Sequence, residues 1–88
     1  MKNYKFIING RVQGVYYRAS IQKNALKAGY RGYVKNLFDG GVEAGVSCQE
    51  SQLKNFIELL KQGSMFSKVV SVECEESIEK FTGNFEIR

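Results

Sequence analysis

Leu53, Phe56, Ile57 and Leu60 fall at i, i+3, i+4 and i+7, and Gln62-Gly63 closes the segment, so the strongest pattern in the chain is an amphipathic helix with one apolar stripe. That stripe has to be covered, and the segments on either side of it alternate like strands. Val42, Ala44, Val46 and Cys48 alternate before it. After it, Lys68 to Glu75 puts Val70, Val72 and Cys74 on one face. The helix is therefore expected to lie on a sheet.

The rest of the chain fits the same scheme. Tyr4 to Val12 carries Phe6 and Ile8 on one face, with Lys5, Ile7 and Asn9 on the other, a period of two that predicts a strand. From about Tyr17, the residues Tyr17, Ile21, Ala25 and Ala28 recur at helical spacing beside Leu26, and Gly29 stands where a left-handed C-terminal cap is wanted. Tyr30 to Asn36 is strand-like, and Asp39-Gly40-Gly41 is a turn signal that joins it to Val42–Cys48 as a hairpin. Phe85 and Ile87 share a phase in a short terminal strand, Asn84 to Arg88. The order β-α-β-β-α-β plus a last strand predicts an α+β, ferredoxin-like α/β sandwich, with two helices on one face of a mostly antiparallel sheet of four to five strands.

With 88 residues, 43% hydrophobic and 25% charged, one domain spanning residues 1–88 is expected, with no linker or repeat. The only apolar run near the start is Phe6 to Ile8, too short for a membrane span or signal core, so the expected location is cytoplasmic. Cys48 and Cys74 lack metal or redox spacing and alternate with apolar neighbours, so both are expected to be small buried hydrophobes. Thirteen Lys and Arg against nine Asp and Glu give +4, a surplus that suits an anionic partner without implying nucleic acid.

Residues 10–18, GRVQGVYYR, join the first strand to the first helix. A helix amino terminus has free N–H groups and a favourable dipole for anions, and Gly10 and Gly14 permit the backbone turns of a concave nest. Arg18, in the first helical turn, has the fork geometry to grip a phosphate. On spacing alone the same residues also read as a tight strand-to-helix connection carrying a solvated arginine. The chain contains no histidine, which removes the commonest general acid and base.

GRVQGVYYR, followed at strand spacing by GYVKNLFDGGVEA and closing in FEIR, resembles the signature segments of the acylphosphatase family in order and separation. The resemblance implies a hydrolase that splits the carboxyl–phosphate bond of small acyl phosphates without metal, cofactor or covalent intermediate. It implies a phosphate cradle from Gln13, Gly14, Val15, Tyr16, Tyr17 and Arg18, with Arg18 gripping the phosphoryl group and Asn36 orienting the attacking water. By itself Asn36 also reads as a turn-favouring residue ahead of Asp39-Gly40-Gly41. Tyr16 stands where the family usually has glycine; at a positive φ a tyrosine there is strained by ~1 kcal/mol or more. Tyr17, for the family's usual phenylalanine, is expected to hold the helix start against the sheet.

The implied partners are an acyl phosphate substrate and inorganic phosphate or sulfate as site ligands. Neither nucleic acid nor membrane is expected, and the chain is expected to act as a monomer. The competing class is a non-catalytic anion- or RNA-binding module on the same sandwich, but the central strands lack the aromatic pattern such RNA binders use. An accessory domain serving a larger partner ranks below both.

Overall fold

The helical stripe and the strand alternation meet in one layer of contacts. In the computed structural model, which describes residues 1–88, the elements are β1 (Lys2–Arg11), α1 (Tyr17–Ala28), β2 (Arg31–Asn36), β3 (Val42–Cys48), α2 (Glu50–Gln62), β4 (Lys68–Glu76) and β5 (Phe85–Ile87). The sheet order is β4-β1-β3-β2-β5, antiparallel throughout except where β5 runs parallel to β2. Both helices lie on one face, as the stripe requires.

Tyr4, Phe6 and Ile8 of β1 alternate into the core opposite Val46, Ala44 and Val42 of β3. Phe56 of α2 is the hub of the aromatic packing, with ring centroids 5.0 Å from Tyr30, 5.3 Å from Phe6 and 5.9 Å from Phe85. Burial of such rings is the largest single source of apolar stabilisation in a chain this size, roughly 2 kcal/mol each. α1 ends at Gly29 in the left-handed region (φ 84), whose neighbourhood closes on the carbonyls of Ala25 and Leu26. Leu26 and Ala28, expected on its buried face, are exposed; Tyr17, Ile21 and Ala25 alone carry it inward.

β4 departs most from its sequence reading. Asn9 faces Ser71 and Gly10 faces Val69, so Val70 is an extra, unpaired residue. This bulge reverses the inside and outside of the strand on either side of it. Val70 is consequently exposed, while Val69 and Val72 pack against the core. Gly10 belongs to this bulge and not to the connecting loop: a Cβ there would run into the Lys68 carbonyl oxygen. Cys48 is buried as expected, but Cys74 is exposed, because β4 is an edge strand that neither helix fully covers.

After β4 the chain crosses the face of the sheet opposite the helices. Ser77 N–H donates to Asn3 O at 2.8 Å, Phe81 N–H donates to Ser47 Oγ at 2.8 Å, and Glu79 pairs with Lys5 at 3.0 Å. The Phe81 ring lies edge-on to Tyr33 at 5.2 Å, and the Arg88 guanidinium sits 4.1 Å from the centre of the Tyr33 ring. Tyr33 is thereby left 1% exposed on what would otherwise be the open face.

Candidate active site

Between β1 and α1 the side chains of Val12, Val15 and Tyr17 are buried, while Gly14 and Tyr16 face solvent. Three apolar plugs thus pin a five-residue connection to the core, and its conformation is correspondingly fixed. Gly14 (φ 71) and Tyr16 (φ 61) are both left-handed, with Val15 between them on the ordinary side. That alternation of sign turns successive N–H groups toward one concave side, the geometry of an anion nest. None of the backbone N–H groups from Gln13 to Ala19 donates to a carbonyl or side chain of the protein. The row leads into the positive end of the α1 dipole.

Tyr16 meets the condition set from sequence: it is the one non-glycine residue with a positive φ. Its backbone strain, on the order of 1–2 kcal/mol, sits at the N-cap of α1, inside the nest.

Supports from two other regions fix the nest in place. The Gln13 carboxamide Nε2 donates to Leu37 O at 2.7 Å and to Gly41 O at 2.8 Å, across to the turn between β2 and β3. Ser64 Oγ donates to Val15 O at 2.5 Å from the segment after α2. Tyr17 Oη donates to Leu60 O at 2.7 Å, so Tyr17, buried in the core, also ties the helix start to the end of α2. Burial pushes the Tyr17 phenol well above its usual range, which keeps it a neutral donor.

Arg18 is half-buried in the first turn of α1 and belongs to none of the chain's ion pairs. It borders a cavity of about 380 Å³ whose other walls are Val12, Gly14, Tyr16, Tyr17, Ala19 and Ile87. A second cavity, of about 310 Å³ on the opposite face of the sheet, is lined by Glu43, Glu73 and Glu75, with Lys5 the one basic residue in its wall. Three carboxylates repel a phosphoryl group; the cavity beside Arg18, with no carboxylate, suits one.

Asn36 is exposed at the end of β2, opposite Val42, and its side chain makes no hydrogen bond. It immediately precedes Leu37, whose carbonyl receives the Gln13 side chain. The structure thus connects the two motif segments through Gln13, whose carboxamide is occupied by this tether and leaves its backbone to the nest. Sequence reasoning missed the tether, the Ser64 contact and the Tyr17–Leu60 bond. A glutamine inside a glycine loop was the only signal for the first; a serine after a helix-closing glycine gave none for the second.

No group of histidine, cysteine or acidic side chains is arranged to hold a metal ion, and no helix is long and apolar enough to cross a membrane.

Residues 4–87 match the sequence profile of the acylphosphatase family. The chain is similar to an acylphosphatase of Methanocella arvoryzae, 41% identical over the full length of both, and to that of Bacillus subtilis, 44% identical over 88% of this chain and 85% of the relative. In structure it is similar to the acylphosphatase from Bacillus subtilis, with a TM-score of 0.92 at 40% identity, covering 100% of this chain and 99% of that one. It is also similar to an acylphosphatase from Coxiella burnetii, with a TM-score of 0.89 at 30% identity, covering 99% and 92%.

Proposed function

Since the chain belongs to the acylphosphatase family and is an acylphosphate hydrolase, we propose that the phosphoryl group lies in the backbone nest of residues 13–18, held by Arg18, while Asn36 orients the attacking water. The observation that carries this is the row of unpartnered N–H groups from Gln13 to Ala19 beside an arginine with no carboxylate partner. Donors left free at a helix N-terminus are open to water or a ligand, and an anion satisfies them together.

The chemistry then follows from the leaving group. Water attacks phosphorus, the P–O bond to the acyl carboxylate breaks, and the electron pair departs on a carboxylate of low pKa. One water proton passes into bulk or stays on the phosphate, so no general acid is needed. A loose transition state asks little of the nucleophile and much of charge stabilisation. Arg18 and preorganised N–H donors supply that, at about 3 kcal/mol per well-placed donor. The Asn36 amide contributes alignment from the β2 end, at a position fixed by the Gln13 tether.

Arg18→Ala and Asn36→Ala are each expected to abolish phosphate release from an aryl acyl phosphate, with EDTA present and a native far-UV spectrum. Full activity in either variant overturns its assignment. The same proposal takes residues 1–88 as one monomeric domain, binding inorganic phosphate or sulfate in the nest. A cytoplasmic setting accords with two unpaired cysteines. RNA binding is disfavoured because Tyr33, the open-face aromatic, lies beneath Phe81 and Arg88.

A further inference from the structure

The nest accounts for the phosphoryl half of the substrate; the acyl half must rest against the walls of the cavity beyond Arg18. Those walls are mostly apolar, and Arg18 is their only charge. An acyl group bearing a second anionic group therefore meets no cation there that the phosphoryl group does not already engage. An uncharged acyl group meets apolar surface.

Among the large apolar residues of the wall, Tyr16 stands most open. Val12 and Tyr17 are buried in the core, and Ile87 is 39% exposed, whereas Tyr16 is 74% exposed. The Tyr16 ring pairs with no other aromatic, and its hydroxyl makes no hydrogen bond within the chain. It also occupies the one strained non-glycine position, where glycine would relieve the backbone. A large ring held at a strained site, without a partner in the fold, contributes little to the core. Its surface is available to a ligand.

We propose that Tyr16 is the acyl-group wall, packing against a planar, uncharged acyl group and making the enzyme selective for aromatic acyl phosphates over acetyl-sized ones. This rests on the assignment of residues 13–18 as the phosphate cradle. Phe38 is also fully exposed, but it does not line the cavity and serves as the control.

The test is kcat/KM for benzoyl phosphate and for acetyl phosphate, in the wild type and in Tyr16→Gly, Tyr16→Phe, Phe38→Ser and Arg18→Ala, with inhibition by inorganic phosphate measured alongside. In Tyr16→Gly the benzoyl-to-acetyl ratio should fall about three- to tenfold, mainly through the KM of benzoyl phosphate. Tyr16→Phe and Phe38→Ser should keep the wild-type ratio, and phosphate inhibition reads separately how far each Tyr16 substitution disturbs the cradle backbone. Any change in backbone freedom acts on both substrates and cancels in the ratio. An unchanged ratio in Tyr16→Gly overturns the aromatic wall, as does an equal loss of both substrates and of phosphate inhibition. If Arg18→Ala leaves both substrates turning over, the cradle assignment itself fails and this inference with it. If Arg18→Ala abolishes both while the Tyr16→Gly ratio stays flat, only the wall is wrong.

Discussion

Replacing Gln13 by alanine removes the one side chain that joins the phosphate nest to the β2–β3 turn. Two hydrogen bonds are lost, at 2.7 Å to Leu37 O and 2.8 Å to Gly41 O. Neither carbonyl is orphaned, because Leu37 O still accepts from Gly40 N at 3.3 Å and Gly41 O from Leu37 N at 2.8 Å. The expected cost is therefore the net worth of two bonds, about 1–3 kcal/mol, without a full desolvation penalty. In a domain of this length that lowers Tm by roughly 8–16 °C for a cost near the middle of the range, measurable by far-UV circular dichroism. Gln13→Glu keeps the shape but offers no donor at neutral pH, and should destabilise at least as much. Activity should suffer beyond the stability loss, because a shift of about 1 Å between nest and Asn36 is enough for a roughly hundredfold drop in kcat. The reasoning fails if both variants stay within ~0.5 kcal/mol of wild type and keep kcat within twofold.

Ser64→Ala removes the donor to Val15 O and should lower kcat with a modest stability cost of about 1 kcal/mol, read by phosphate release and urea unfolding. Gly10→Ala drives a Cβ into the Lys68 carbonyl and should cost more than ~2 kcal/mol in urea unfolding by forcing β1 and β4 apart; a near-neutral result would show that the bulge yields freely. The Lys5 hydrogen bond, with help from Arg88, holds the Glu79 carboxyl below its usual range. Its stabilisation is complete above the ordinary carboxylate pKa and is lost as pH falls through the lowered one. The stability difference between wild type and Glu79→Gln should therefore be flat near neutrality and vanish in acid.

The parts of the fold legible in the sequence were those set by local periodicity. The α2 stripe, the β1 alternation and the Asp39-Gly40-Gly41 turn each repeat one geometric rule over several residues, and each appears where the rule puts it. β4 obscured its own pattern, because one extra residue at Val70 breaks a period of two without changing composition. The exposure of Cys74 and Leu26 likewise depends on which edge and which helix face remain uncovered, a property of the assembled layers. In the site, Gly14 was legible because positive φ leaves a mark on residue choice, whereas Tyr16 bears no such mark and stood out only against the glycine usual at its place in the family. The Gln13 bonds span more than twenty residues to carbonyl groups, and carbonyls carry no sequence signal.

The segment between β4 and β5 has a mechanical consequence. It leaves one edge of the sheet and reaches the other, and along the way it is fastened to β1 through Asn3 and Lys5, to β3 through Ser47 and to β2 through Tyr33. The two edge strands, with three strands between them, are thus the ends of one belt. Edges ordinarily fray first and separately. Here β5 cannot loosen without slackening the whole belt back to β4, so amide protection at both margins should be lost in a single cooperative step, and the Phe81 buckle sets its height.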